Sequence, residues 1–230
     1  HASEPVTPIS QEQADSFLPS REVTNRPLLD TKKPVQFGEV LFPDWYPDYE
    51  YKKHRALVDA IDVLGEAFEA YAEVSGRRYR AVDALDTEDA EMVLVGIGSM
   101  MQTARVAAAN LRARGVKVGV AAIRVFRPFP EAELRAAIGD AAQVLVMDRD
   151  IGYGTTGMVY PDIVRSLYSV PRRPRVLNFI IGTGGKDIAP RGVERCVELA
   201  GEDHGDKTVF WPDARGPVEG IPWTAASEGA

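Results

Sequence analysis

Residues Glu91 to Arg127 read EMVLVGIGSMMQTARVAAANLRARGVKVGVAAIRVFR, and this stretch limits the fold more than any other. Met92–Ile97 is a nearly unbroken apolar run, the pattern of a strand buried on both faces. Gly96, Gly98 and Ser99 supply small turn residues, and Ser99 stands where a helix N-cap belongs. Met101, Ala104, Ala108 and Leu111 then recur at helical spacing as far as Gly115, a C-terminal glycine. Val116–Phe126 is a second apolar, β-branched run. Two buried strands joined by a helix make a βαβ unit, and such crossovers are parallel and nearly always right-handed. The rest of the chain has to pack onto this unit.

Composition narrows the function classes. The chain has 230 residues, a net charge of −7 and 45% hydrophobic content. An acidic chain of this kind does not carry a broad basic face for nucleic acid. No apolar run approaches the roughly 20 residues that span a bilayer. The first twenty residues are polar and proline-bearing, without the apolar core of a signal peptide, so a cytoplasmic protein is expected. One cysteine, Cys196, excludes an intramolecular disulfide and any cysteine-only metal or iron–sulfur site within the chain. Cys196 lies in a helical pattern beside Val193 and Val197, which predicts a buried structural thiol.

Residues 1–50 hold seven prolines and no sustained period, yet carry Phe17, Leu18, Leu28, Phe37, Phe42, Trp45, Tyr46 and Tyr49. Disordered segments are poor in such residues. The reading is an extended docking arm that lies on its own domain or on a partner. Tyr51–Val74 is the longest helix, with Leu57, Ile61, Leu64, Phe68 and Tyr71 on one stripe. Residues 77–85 form a charged edge strand. After Phe126, Pro128 and Pro130 forbid both helix and inner strand, and Pro130 opens a helix over Glu131–Ile138. Gln143–Met147 and Val176–Ile181 are further buried strands, Met158–Tyr168 and Pro190–Leu199 further helices. The sum is a three-layer α/β/α domain of about five mostly parallel strands. Its leading helix extends it to 51–200, and a loop-like tail over 201–230 includes a docked segment at Val209–Trp211.

In open parallel sheets ligands bind beyond the carboxyl ends of strands. Three turns compete for that role: residues 96–99, 148–157 and 182–187. None matches a dinucleotide fingerprint or a Walker loop. Gly98, Ser99, Gly184, Gly185 and Lys186 are the candidate anion contacts, since backbone N–H groups near a helix start favour negative charge. The competing reading is that these glycines only make tight turns. Arg127 is expected to pack on the neighbouring ring and pair locally. Asp148, Arg149 and Asp150 are expected to pair or solvate one another. His1, His54 and His204 are far apart, and no metal spacing or catalytic triad order stands out. No catalytic residue is assigned.

Taken in order, several pieces resemble the alpha subunit of pyruvate:ferredoxin (2-oxoacid:acceptor) oxidoreductases. His1-Ala-Ser-Glu-Pro-Val is similar to the end of that family's first thiamine-enzyme domain. Asp15-Ser-Phe-Leu-Pro and Leu28-Leu-Asp with Pro34 and Gly38 resemble its connecting arm. Gly76-Arg-Arg-Tyr, Glu88-Asp-Ala-Glu, Gly98-Ser, Arg127-Pro-Phe-Pro, Asp148-Arg with Gly154 and Gly157, and Gly184-Gly-Lys-Asp-Ile resemble its second domain. Lys186 stands where the family usually has arginine, which keeps the charge and loses the planar fork. The resemblance implies a transketolase C-terminal-like fold, five-stranded and mixed, with the first strand antiparallel. It implies a complex that oxidatively decarboxylates a 2-oxoacid, pyruvate first among them, with coenzyme A. Thiamine diphosphate is the implied electron sink, and iron–sulfur clusters the implied path to ferredoxin or flavodoxin. Those sites belong to other domains or subunits, so this chain is expected to be a fragment or one piece of a split subunit, to bind no cofactor alone and to be a structural part of the assembly. Two rival readings are the C-terminal domain of a transketolase or 2-oxoacid dehydrogenase E1-beta subunit, and a stand-alone flavodoxin-like module for a nucleotide or flavin.

Overall fold

The structure is a computed structural model, which describes residues 6–18, 31, 32, 34, 38 and 40–214. The motif residues His1–Pro5 and Leu28–Asp30 and the end of the tail, 215–230, lie outside the described residues. The chain forms two compact units, residues 1–80 and 81–230.

The first unit contains α1 (Gln11–Phe17) and α2 (Tyr46–Ser75). The irregular reading of residues 1–50 is corrected at 11–17 and 46–50, which are helical. Ser10 and Gln13 close a capping box, each side chain meeting the other's backbone N–H, and this starts α1. The long helix begins at Tyr46, five residues before the expected start at Tyr51, because Pro47 sits in its first turn, where no helical N–H is lost. Gly76, at φ +70°, ends it. α1 lies against the end of α2: Gln13 Nε2 donates to the Val74 carbonyl at 2.7 Å, and the Phe17 ring meets Tyr71 edge-on at 5.6 Å. Tyr71 also stacks on Tyr79. Further toward its start, α2 leaves Tyr46, Tyr49, Tyr51, Leu57 and Val63 exposed.

The second unit is a six-stranded sheet with helices on both faces. In chain order it runs β1 (Val82–Leu85), β2 (Met92–Ile97), α3 (Met100–Arg112), β3 (Val118–Ile123), α4 (Glu131–Ile138), β4 (Gln143–Asp148), α5 (Tyr160–Leu167), β5 (Arg175–Ile180), α6 (Pro190–Ala200) and β6 (Val209–Phe210). The strand order is β1-β3-β2-β4-β5-β6. Only β1 is antiparallel, pairing Val82 with Ile123 through Leu85 with Val120. The expected α/β/α architecture with an antiparallel edge strand is present. The segment read as docked at 209–211 adds the sixth strand.

Alternation along the strands explains the unbroken apolar runs. Leu94, Leu145, Met147, Leu177 and Phe179 face α3 and α6. Val93, Val95, Val144 and Val146 face α4 and α5. With both faces covered, neither set of positions can be polar. Successive strands β4, β5 and β6 step in one direction across the sheet, yet α5 and α6 lie on opposite faces. The crossover into β6 therefore has the opposite hand to the crossover into β5. On the α3–α6 face, Glu194 ties the two helices, accepting from Asn110 Nδ2 at 3.1 Å and pairing with Arg114 at 2.9 Å. The Asn110 hydrogen bond, then Arg114, hold its carboxyl below the usual range.

The edge strand is held close to its loop. Gly119, in β3, faces the turn at Asp86 and Thr87, and a Cβ there would come within 2.7 Å of the Asp86 carbonyl oxygen. Backbone cannot give way as a flexible side chain can. Gly119→Ala should therefore cost about 1–3 kcal/mol of stability, measured by urea unfolding. An unchanged midpoint would show that the turn yields freely.

Candidate functional site

Three connections leave the carboxyl ends of adjacent parallel strands. Gly98 and Ser99 follow β2, residues 149–158 follow β4, and residues 181–189 follow β5. The chain leaves β4 toward the α4–α5 face, but leaves its neighbours β2 and β5 toward the α3–α6 face. Helices departing to opposite faces open a crevice between their strands. The β4 connection thus stands between two such crevices.

That connection is pinned by a buried polar pair. Asp148, at the end of β4, and Asn178, within β5, are 1% and 0% exposed. Asn178 Nδ2 donates to Asp148 Oδ2 at 2.8 Å and to the Val146 carbonyl at 3.3 Å. Val159 N–H donates to Asp148 Oδ1 at 2.9 Å, and Gly157 N–H donates to Asn178 Oδ1 at 2.7 Å. Two side chains thereby anchor both ends of the turn into α5. The approach is close enough that a Cβ on Gly157 would overlap the Asp148 carboxylate, so this glycine is required by space. Within the loop, Gly152 N–H donates to the Thr156 carbonyl at 2.9 Å, and Tyr153 projects at the tip, 96% exposed. Burial pushes the Asp148 carboxyl above its ordinary value, against the hydrogen bonds from Val159 and Asn178 that pull it down, with Asp150 adding to the rise.

The sequence reading of Asp148, Arg149 and Asp150 as paired or solvated charges is corrected at Asp148, while the other two are solvated as expected. Asp148 turns inward, on the same side as Val144 and Val146, while Arg149 and Asp150 are exposed. The signal was available in the alternation. A residue two positions after Val146 on a doubly covered strand points into the layer behind it. Arg149 reaches the next connection instead, its guanidinium donating to the Gly182 carbonyl at 3.3 and 3.4 Å.

The candidate anion contacts fall on two of the three connections, with the β4 connection between them. Gly98 has φ +80° and an open flank, and Ser99 occupies the N-cap position of α3. The cap expectation is corrected: Ser99 has helical φ and ψ, and its hydroxyl makes no capping hydrogen bond. After β5, Gly182, Gly184 and Gly185 have φ of +71°, +65° and +83° around a short 3₁₀ turn (Thr183–Gly185). Lys186 Nζ lies 2.6 Å from Asp213 Oδ1, and Gly182 N–H donates to Asp213 Oδ2 at 2.8 Å. A carboxylate of the chain itself therefore rests on this turn. The sequence reading overlooked Asp213, which sits in the tail with no local motif to mark it.

Two other expectations hold. Arg127 lies over the Phe126 ring at 4.0 Å and pairs with Asp162 at 2.8 Å. Cys196 is fully buried in α6, where its thiol donates to the Gly192 carbonyl and burial pushes its pKa up. A thiol so placed is inert. No group of three or more His, Cys, Asp or Glu side chains is arranged to hold a metal among the described residues.

Residues 90–193 match the family described as pyruvate:ferredoxin oxidoreductase core domain II. This stretch is similar to that domain. Beyond it, the chain is 35% identical over 211 residues to the pyruvate synthase subunit PorA of Methanothermobacter thermautotrophicus, covering 92% of this chain and 53% of that protein. It is 34% identical over 215 residues to the PorA subunit of Pyrococcus horikoshii, covering 92% and 54%. It is 34% identical over 199 residues to the ketoisovalerate oxidoreductase subunit VorA of the same organism, covering 86% and 50%. The chain thus spans about half the length of these relatives. They favour the first of the three sequence readings over a flavodoxin-like module or another thiamine enzyme.

The buried pair gives a pH test with a definite sign. Because the folded state raises the Asp148 pKa above the ordinary 3.8, its stabilising protonation is complete below that value and is lost as pH rises through the folded value. The unfolding free energy of wild type minus that of Asp148→Asn should therefore fall with rising pH over the acidic range and then level. Urea titrations at a series of pH values measure it. A difference that grew with pH would contradict the burial argument.

Proposed function

We propose that this chain is part of the alpha subunit of a 2-oxoacid:ferredoxin oxidoreductase, contributing a structural and assembly domain to a complex that oxidatively decarboxylates a 2-oxoacid with coenzyme A to give acyl-CoA and CO₂. The observation that carries the proposal is the likeness to PorA and VorA subunits over most of the chain, joined to the core domain II match. Pyruvate and ketoisovalerate in those relatives' names support a 2-oxoacid as the substrate class. Ferredoxin or flavodoxin is the proposed acceptor, and the cytoplasm the proposed compartment. Among the described residues no helix is long and apolar enough to cross a membrane.

The chemistry of the donor set supports a division of labour. Iron–sulfur clusters need several thiolates, and this chain's one cysteine is buried and protonated. The single buried carboxylate with a raised pKa, Asp148, spends its hydrogen bonds on backbone and Asn178. Thiamine diphosphate, the clusters and coenzyme A belong, on this reading, to other domains or subunits. On this reading Gly98, Ser99, Gly184, Gly185 and Lys186 are anion contacts at the rim of the sheet.

The docking role falls to the proline-rich arm and the exposed start of α2. Phe42, Trp45, Tyr46, Tyr49 and Tyr51 are each about half exposed or more. Aromatic side chains gathered on one segment are enriched at protein interfaces, where their large rigid areas bind at low entropic cost. The proposed occupant is the remainder of the oxidoreductase, within the subunit or beside it.

Two measurements test the proposal. Purified from its source, the chain should travel with polypeptides that supply thiamine diphosphate and iron, and the assembly should reduce a low-potential dye only when a 2-oxoacid and coenzyme A are both present. A lone 25 kDa monomer with a bound flavin would refute it. Replacing Trp45 and Tyr49 with aspartate should weaken that association at least ten-fold in a pull-down while leaving the far-UV circular dichroism unchanged, as expected for central aromatic anchors each worth about 2 kcal/mol.

A further inference from the structure

We infer that the turn after β5 is an anion site with a resident internal ligand, Asp213, which a small-molecule phosphoryl or carboxylate anion displaces. The inference rests on reading Gly184, Gly185 and Lys186 as anion contacts and goes beyond it by naming the group that now fills the place. Asp213 is held by two kinds of donor at once. One oxygen accepts the Gly182 backbone N–H at 2.8 Å, and the other meets the Lys186 ammonium at 2.6 Å. Lys186 Nζ also lies 3.4 Å from the Asp213 carbonyl. A backbone N–H from a glycine with left-handed φ, with a lysine beside it, is the donor set with which glycine-rich turns hold phosphate. Gly182 has φ +71°, and Gly184 and Gly185 continue the left-handed run with nothing within 4 Å of their missing Cβ positions. The anion therefore has room on that side. Arg149 donates to the Gly182 carbonyl from the β4 connection, bringing a second cation to the same residue, while Asp187 is the one neighbouring acid in the turn.

Asp213 comes to the turn from far along the chain and on a short support. It lies 31 residues after Gly182, three residues beyond β6, a strand of two residues held by pairing with β5 and by the Phe210 ring stacked on Phe179 at 5.2 Å. Lys186 is half exposed in this pair and Asp213 one-fifth exposed. Water reaches the contact, so the carboxylate can leave without abandoning charge in a dry interior. A tethered group competes with a dissolved one at an effective concentration in the millimolar range. The internal ligand therefore sets a threshold: weak anions at low concentration are refused, and a multiply charged phosphoryl group is admitted.

The test uses the full chain labelled with ¹⁵N and titrated with inorganic phosphate and, separately, with acetate. The readouts are the Gly182 and Lys186 amide shifts, with Phe179 and Cys196 amides reporting that the sheet is intact. Asp213→Asn should show a saturable phosphate-dependent shift with an apparent Kd at least about ten-fold below that of wild type, since the tethered competitor is gone. Acetate should compete more weakly if the site prefers phosphoryl groups, and equally if it prefers carboxylates. Adding Lys186→Met to Asp213→Asn should abolish the shift. Equal affinities in wild type and Asp213→Asn would overturn the internal-ligand inference alone. No saturable shift in Asp213→Asn, or one that persists without Lys186, would overturn the anion reading of the turn as well. Asp213→Ser gives the same comparison should the amide variant fail to fold.

Discussion

Water is excluded from both faces of the sheet in the second unit, and most of what this unit does locally follows from that. Met92–Ile97 has to be apolar at every inward position because α3 and α6 cover one side and α4 and α5 the other. The same exclusion makes the two buried polar side chains on the described strands, Asp148 and Asn178, answerable for every hydrogen bond they can form. They meet that demand by gripping the backbone at Gly157 and Val159. A burial cost is thus converted into a fixed loop geometry, and Tyr153 stands in solvent at the tip of a loop whose base cannot drift.

How far the sequence announces this structure depends on how local each signal is. The βαβ core was legible because buried strands and amphipathic helices write their periods directly into residue type. The edge strand was legible in its charges, and Asp83 does pair with Arg105 and Arg124. The capping box at Ser10 and Gln13 was legible too, but the surrounding prolines masked it. Pro47 misled for a related reason: proline breaks a helix interior and suits a helix start, and only the hydrogen-bond ladder says which applies. The inward turn of Asp148 could have been counted out from Val146. The contact between Lys186 and Asp213 could not, because nothing in either residue's neighbourhood points to a partner so far along the chain.

The division of the chain also bears on the assembly role proposed for it. The first unit keeps its apolar contacts at the end of α2, where Phe17, Tyr71 and Tyr79 meet, and leaves the aromatic start of the helix exposed. The second unit is self-sufficient in its core but carries no reactive set among the described residues. Exposed aromatic residues on one unit and a well-packed sheet in the other suit the proposed role of a part that positions neighbours. The similarity to PorA and VorA subunits, which run about twice as far, fits that arrangement.

The opposite hand of the last crossover sets β6 apart from the winding of the other strands. A chain cut after Ala200 would retain the order β1-β3-β2-β4-β5, but it would strip the outer ladder of β5. The Asn178 N–H, which now donates to Thr208 at 2.7 Å, and its neighbours would then form an uncovered flank able to recruit strands from other molecules. Two residues of strand, placed by a helix on the far face, are what keep this sheet from growing.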